Sequence, residues 1–318
     1  MANDTGLRLV ADVGGTHSRL AMYDPASDAL RCRHDYRNAD FNGMAAVIAR
    51  WLEEIDEPRP AYCCIAIAAP PFDDQVEMLN LNWSFSINSL RETFGFTALR
   101  CINDFEGNAY ALPHLSAQDL ETLHIGKVGN SGKLAAVGPG TGLGGATFGL
   151  VNGNPVANAC EPGHMSLAAA TPLEQAIFAQ LLKERPDVFA ELLLSGPGIK
   201  VLYDSLAQVM GQSPESLSAE EISQRAADKT CGLCVETMET FCALLGSLCG
   251  DYVLAQGAYG GLYLCGGILP RMLPLLTQST FHQRFVTKGN MTERLRDVPI
   301  HLVVSGRAGL IGAAHTPI

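Results

Sequence analysis

Asp12-Val13-Gly14-Gly15-Thr16 gathers a carboxylate, two adjacent glycines and a hydroxyl in one short stretch between apolar runs. Chain without side chains can turn tightly and bring its N–H groups to an anion. The Thr16 hydroxyl can donate to a phosphate oxygen, and Asp12 can hold a hydrated Mg²⁺. The same residues also fit an ordinary Gly-Gly hairpin turn. A second cluster, Gly138-Pro139-Gly140-Thr141-Gly142-Leu143-Gly144-Gly145, follows the run KLAAV. Gly140, Gly142 and Gly145 satisfy the G-x-G-x-x-G spacing of dinucleotide folds, but that fingerprint requires a helix immediately afterwards. ATFGLVNGNPV is instead β-branched, aromatic and broken by turn residues, which predicts a strand and hairpin. Thr141 then repeats the part of Thr16, and two such hairpins are more specific for a nucleotide's phosphates than either alone.

The elements that must position these turns follow from periodicity. LRLVADV, SRLAMYD and LRCRHDY, separated by GGT and by Pro25-Ala26-Ser27-Asp28, predict three consecutive antiparallel strands. Met44, Val47, Ile48, Trp51, Leu52 and Ile55 recur at helical spacing over 42–55. CCIAIA reads as a buried strand, SINSLRETFG as a helix capped by Ser86, and ALRCIND as another strand. After a helix near 105–112, KLAAVG, ATFGLVNG and NPVANA predict three more strands. Helices fill much of 171–257, and GLYLCGG and IHLVVS supply later strands. The expectation is an α/β chain of two lobes, each a βββαβαβ unit, with a cleft between them.

Composition sets the outer limits. At 318 residues the chain exceeds the usual single-core size, and 47% hydrophobic against 17% charged residues leaves ample core. A net charge of -11 opposes binding to nucleic acid or anionic lipid, so phosphate must be handled locally by backbone amides and a metal. No secretory signal and no apolar run long enough to span a bilayer are expected. Ten cysteines without disulfide-scaffold spacing fit a reduced cytoplasm. Cys231-x-x-Cys234 could be a redox pair or half a zinc site. No second ligand pair follows, and the flanking TCGLCVETMETFCALLGSLCG reads as a buried helix carrying small thiols.

Taken in order, DVGGTHSRLAMYD, CINDF, GPGTGLGGA, EPGH, LLLSGPG, LCGGILPR and SGRAGLIGAA resemble the bacterial glucokinase family across nearly the whole chain. The resemblance implies a two-lobed actin-like ATPase (ribonuclease H-like) fold. A smaller domain of 1–108, completed by 302–318, would face a larger one of 109–301. It implies ATP-dependent phosphorylation of the glucose 6-hydroxyl, with Mg²⁺, in a cleft that closes on sugar. Glucose and ATP are the expected partners, with no nucleic acid and no membrane; a homodimer is compatible. Another hexose or an amino sugar on the same fold is the alternative substrate.

By the same resemblance Asp104 is the general base. Asn103, Asp104, Glu161, His164, Glu191 and Asn80 hold the sugar. Asp12, Gly14, Gly15, Thr16, Gly140, Thr141 and Gly142 serve the nucleotide, with Gly266 and Gly267 near the adenosine and Asp12 reaching the metal through water. These residue types suit a hexose, because its ring of hydroxyls needs both acceptors and donors. Read without the resemblance, Asn103-Asp104 could cap a helix, and Glu161 and Glu191 could be solvated charges. His17 and Ser18 stand where the family has Asn and Ala, and Pro162 where it has Gly, which would restrict Glu161. The cysteine-rich zinc motif that related ROK sugar kinases carry after E-x-G-H is replaced here by MSLAAATPLEQ.

Overall fold

The computed structural model describes residues 6–68, 73–78, 81–127 and 132–318. Its opening strands, β1 (Arg8–Val13), β2 (His17–Asp24) and β3 (Ala29–Arg37), form the antiparallel meander that the alternating runs predict. Helix α1 (Met44–Glu54) buries Met44, Val47, Ile48 and Trp51 along one face, and the Trp51 indole N–H donates to the Cys32 carbonyl at 2.9 Å. Strand β4 (Tyr62–Ile67) is followed by a short hairpin of β5 (Gln75–Met78) and β6 (Trp83–Ser86) that the sequence reading lacked. Helix α2 (Ile87–Phe94) starts as predicted on Ser86, whose Oγ accepts the Ser89 N–H at 3.0 Å, and stops at Gly95 in the left-handed region. Strand β7 (Ala98–Asn103) leads directly into α3 (Asp104–Ala111).

The first sheet has the order β3-β2-β1-β4-β7, with β1, β4 and β7 parallel. Val13 pairs with Ile67 and Ile67 with Asn103, so these three strands end level with one another. Leu9, Leu20, Met22, Ile65 and Ile67 from this sheet join the α1 face in one buried core.

The second sheet has the order β11-β10-β9-β12-β13-β8. Its strands are β8 (Leu120–His124), β9 (Leu134–Pro139), β10 (Leu143–Val151), β11 (Asn154–Cys160), β12 (Gly261–Leu264) and β13 (Ile300–Val303). Strand β8 was not foreseen; it pairs antiparallel with β13. Between β11 and β12 run α4 (Pro172–Leu181), α5 (Ala190–Leu193), α6 (Gly196–Val209), α7 (Ala219–Ala227) and α8 (Gly232–Gln256). Then come α9 (Leu273–Gln278), α10 (Phe281–Val286) and α11 (Thr292–Arg296), and after β13 a last helix, α12 (Ala308–His315).

The chain divides into two compact units. One comprises residues up to Ser116, Val151–Ala159 and Ser305 onward; the other comprises Ala117–Leu150 and Cys160–Val304. In the first, α12 packs on α3 with Gly312 directly over the Gly107 carbonyl, an approach that any side chain would block. In the second, α8 is buried nearly all round and forms the centre of the core with Leu202, Leu206, Phe281 and Phe285. Contrary to the sequence expectation, α8 is long and apolar enough to cross a membrane by length and composition, but 72% of its most apolar window is buried inside this core. That is how the central helix of a large globular core reads.

Candidate active site

In the first unit the turn after β1 is held from one side. The Asn38 side chain donates to the Gly14 carbonyl at 2.8 Å, and the Asn38 N–H donates to the Thr16 carbonyl at 2.9 Å. Buried Ser18 fixes that asparagine by donating to its Oδ1 at 2.7 Å. Gly15 and Thr16 remain exposed at the tip. Below them Asp12 accepts from Arg19 Nη1 at 3.1 Å and lies beside the Gly309 backbone of α12. Burial pushes the Asp12 carboxyl above the usual range, and the Arg19 guanidinium opposes that rise.

Asn103 and Asp104 stand at the end of β7, the same edge of the sheet as this turn. The Asn103 side chain caps α3, its Oδ1 accepting the Phe105 N–H at 2.9 Å, and Asp104 Oδ1 accepts the same N–H at 2.9 Å. Both residues are half-buried. Arg100 bridges to Glu106 at 2.8 Å across the first turn of α3. Burial raises the Glu106 carboxyl above its ordinary range despite that arginine. Asn80 lies outside the described residues.

In the second unit the parallel strands β9 and β12 run side by side, Leu264 pairing with Val137 two residues before β9 ends. The end of β9 with its turn, Gly138–Gly142, and the continuation of β12, Cys265–Gly267, therefore share one edge. Gly266 has φ 92° and sits against the Pro139 carbonyl, where a Cβ would fall 2.7 Å from the oxygen. The Gly140 carbonyl accepts the Gly196 N–H at 2.8 Å, tying the loop to the start of α6.

The chain just past β11 builds the second group. Glu161 precedes a 3₁₀ turn, Pro162–His164, that starts on Pro162 and closes through the His164 N–H on the Glu161 carbonyl at 3.1 Å. Backbone bonds between Leu167 and Val188 and between Ala190 and Met165, at 3.0 and 2.9 Å, draw this turn beside α5. The His164 and Phe189 rings come to 5.7 Å. Glu161 and His164 are exposed, whereas Glu191 is half-buried. Glu191 Oε2 accepts the Leu143 N–H at 2.7 Å and lies against Gly142 and Gly163. One carboxylate thus fastens the glycine loop to the Glu161–His164 turn.

Sequence reasoning missed a cavity of about 730 Å³ in this unit. Gly140, Thr141 and Pro197 form one wall, Gln224 and other α7 residues a second, and Ile268 and Leu275 a third. Arg271 bonds Glu220 at 2.7 Å between two of these lining residues. The residues that shape it come from well-separated parts of the chain, and although the glycine loop, LLLSGPG and LCGGILPR stand out in the sequence, nothing there joins them to the α7 and α9 residues.

A family model described as glucokinase matches residues 9–317. The chain belongs to the glucokinase family. A glucokinase from Aromatoleum aromaticum is 40% identical over 315 residues, covering 98% of this chain and 95% of the relative. The crystal structure of a glucokinase from an Antarctic psychrotroph superposes with a TM-score of 0.91 at 38% identity, covering 98% of each chain. A ROK family glucokinase from Streptomyces griseus, solved with glucose and AMPPNP, shares the fold at a TM-score of 0.62 and 16% identity, covering 97% of this chain and 98% of that one.

Two departures from the family's pattern gain a physical account. Ser18, one of the residues the sequence comparison singled out, supplies the hydroxyl that orients Asn38 beneath the first glycine turn. Pro162, another such residue, is buried against the backbone of Gly145, where a Cβ would fall 2.6 Å from the proline ring. The ring therefore packs into the space that Gly145 leaves.

Proposed function

We propose that the protein transfers the γ-phosphoryl group of ATP to the 6-hydroxyl of glucose, with Asp104 as the general base. Family membership carries the reaction class. The observation that supports the base is the level ending of β1 and β7, which sets Asp104 and the Gly14–Thr16 turn on one edge of one sheet, the ligand edge of open α/β sheets.

In this reading the 6-hydroxyl oxygen attacks the γ-phosphorus while Asp104 takes its proton, and ADP leaves with the bridging electron pair. The transition state is loose, so positioning and charge neutralisation matter more than a strong base. Asn103, Glu161, His164 and Glu191 orient the sugar, with Asn80 assigned there too. Gly14, Gly15, Thr16, Gly140, Thr141 and Gly142 bind phosphates, and Gly266 and Gly267 border the adenosine. The 730 Å³ cavity beside Thr141 has the size and apolar walls that a nucleoside needs. The Streptomyces griseus relative binds AMPPNP, which supports ATP as donor. Asp12 fits a hydrated Mg²⁺, because Arg19 engages one carboxylate oxygen and the other makes no hydrogen bond among the described residues. Such an ion, when bound, neutralises charge on the phosphates.

The fold class is the actin-like ATPase. Supporting it, the order β3-β2-β1-β4-β7 corresponds strand by strand to β11-β10-β9-β12-β13, as a duplicated βββαβαβ unit requires. Ten thiols without a disulfide favour a reducing, cytoplasmic setting.

Asp104→Asn tests the base. The cap of α3 is Asn103, which this substitution leaves in place, and Asn matches Asp in size, so stability should hold. Loss of a general base costs about 10² to 10⁴ in rate, so kcat should fall by at least about 10² while glucose Kd changes less than about tenfold. Parent-like turnover would remove Asp104 from the mechanism. Repeating the parent assay with mannose, fructose and glucosamine fixes the sugar.

A further inference from the structure

We infer that Cys231 and Cys234 form a thiol–disulfide exchange site for low-molecular-weight disulfides of the oxidised-glutathione class, with Cys231 the nucleophile and Cys234 the resolving thiol.

Cys231 is the N-cap of α8, and its Sγ accepts the Cys234 N–H at 3.4 Å. Sulfur is a weak acceptor, and Ser or Asp would cap better. The caps of α4, α6 and α7 in the same unit are the hydroxyls of Thr171, Ser195 and Ser218. Capping alone therefore does not account for a thiol here. The N-cap and the third helical residue share the first turn, which is what sets the Cys234 N–H on the Cys231 sulfur. Cys231 is half-buried and Cys234 fully buried, so a disulfide from solution meets Cys231 first.

The electrostatics divide the labour. Burial alone would raise the Cys231 thiol, but hydrogen bonds from the Cys234 thiol and from the N–H groups of Cys234 and Leu233 outweigh it and hold it below the ordinary range. Glu215, itself paired with Arg225 at 2.9 Å, works weakly against this. Cys32 and Cys160, the other half-buried thiols, are pushed up by burial. Burial, then the hydrogen bond and charge of Cys231, push Cys234 up to about 12. Once Cys231 is in a mixed disulfide its charge is gone, and that part of the penalty on Cys234 is relieved.

The exchange balances without a further reactant. The Cys231 thiolate attacks one sulfur of the disulfide, whose S–S bond breaks, and the departing thiolate leaves with the electron pair and takes a proton. Cys234 then gives up its proton and attacks Cys231 Sγ, releasing the second small thiol. Two protein thiols are oxidised to one disulfide while one small disulfide is reduced to two thiols. A zinc half-site has less support, since no cluster of three metal-ligating side chains exists among the described residues. Only Asp228–Thr230 separate Cys231 from α7, whose Ser223, Gln224 and Ala227 line the large cavity.

The test treats the full-length protein with oxidised glutathione at neutral pH, traps free thiols with iodoacetamide and maps the products by mass spectrometry. The parent should show a Cys231–Cys234 link that dithiothreitol reverses. Cys234→Ser should stall with one glutathione on Cys231, and Cys231→Ser should leave Cys234 unmodified. In the reduced parent, Cys231 should alkylate on the order of tenfold faster than Cys32. A treated parent in which both cysteines still alkylate, or a folded Cys234→Ser protein without the mixed disulfide, overturns the site. Should a serine variant fail to fold, the parent's alkylation rates decide, and a Cys231 no faster than Cys32 overturns it.

Discussion

The turn after β1 and the turn after β9 share glycines, a threonine and a place at the end of a parallel strand, yet their glycines answer to different neighbours. In the first turn a Cβ on Gly15 would meet nothing within 4 Å, and one on Gly14 would only touch the His17 carbonyl at 3.8 Å. In the second, a Cβ on Gly140 would likewise meet nothing within 4 Å, but one on Gly142 would fall 2.5 Å from Glu191 Oε2, and one on Gly138, near the end of β9, would run into the backbone of Cys265. The protein itself fills the space beside Gly138 and Gly142 and leaves Gly140 open, whereas the first turn leaves the space beside both of its glycines open. A glycine-rich turn can therefore encode two unlike demands, open space at its tip and room for the fold around it.

Substitution should separate these demands. Gly138→Ala is expected to have the largest effect. The clash is with backbone on a neighbouring strand, so unfolding free energy should drop by more than about 3 kcal/mol, read by urea denaturation. A parent-like midpoint would mean that β9 and β12 can part cheaply. Gly142→Ala comes next. Its obstacle is a side-chain carboxylate that can swing away, but only by giving up the Leu143 N–H, a loss of about 1 to 3 kcal/mol. Because Glu191 also touches Gly163, the KM values for glucose and ATP should rise together. A change confined to one substrate would show that Glu191 does not join the two loops.

Gly15→Ala should be the mildest in stability, within about 0.5 kcal/mol of the parent. Its signature is instead a rise of about tenfold in the KM for ATP, worth roughly 1.4 kcal/mol, with glucose KM unchanged. If the first turn were only a hairpin turn, ATP affinity would not move and the contrast between the two loops would collapse.

Much of this was legible from residue order, for identifiable reasons. The β1–β3 meander, α1 and the Ser86 cap rest on local patterns, and local patterns survive tertiary context. The β5–β6 hairpin escaped because QVEM and WSFS are four-residue strands that pair only with each other. Strand β8 escaped because LETLH acquires its ladder only from β13, far along the chain. At the site, Asn103 shows why the cap and the ligand readings could not be separated by sequence: it does cap α3, and that cap stands on the same sheet edge as the Gly14–Thr16 turn. The cavity beside Thr141 was invisible because its α7 and α9 walls carry no motif and nothing in residue order joins them to Gly140, Pro197 and Ile268.

The seat of α12 has a consequence for how the molecule is made. This helix covers α3 and the Asp12 side of β1, but a ribosome delivers it only after all of Ala117–Val304. The unit translated first must therefore wait, its sheet formed and one apolar flank still wet, while the unit translated second has every strand it needs. Completion should run opposite to synthesis, and the half-built first unit is the species that chaperones and proteases would meet on the nascent chain.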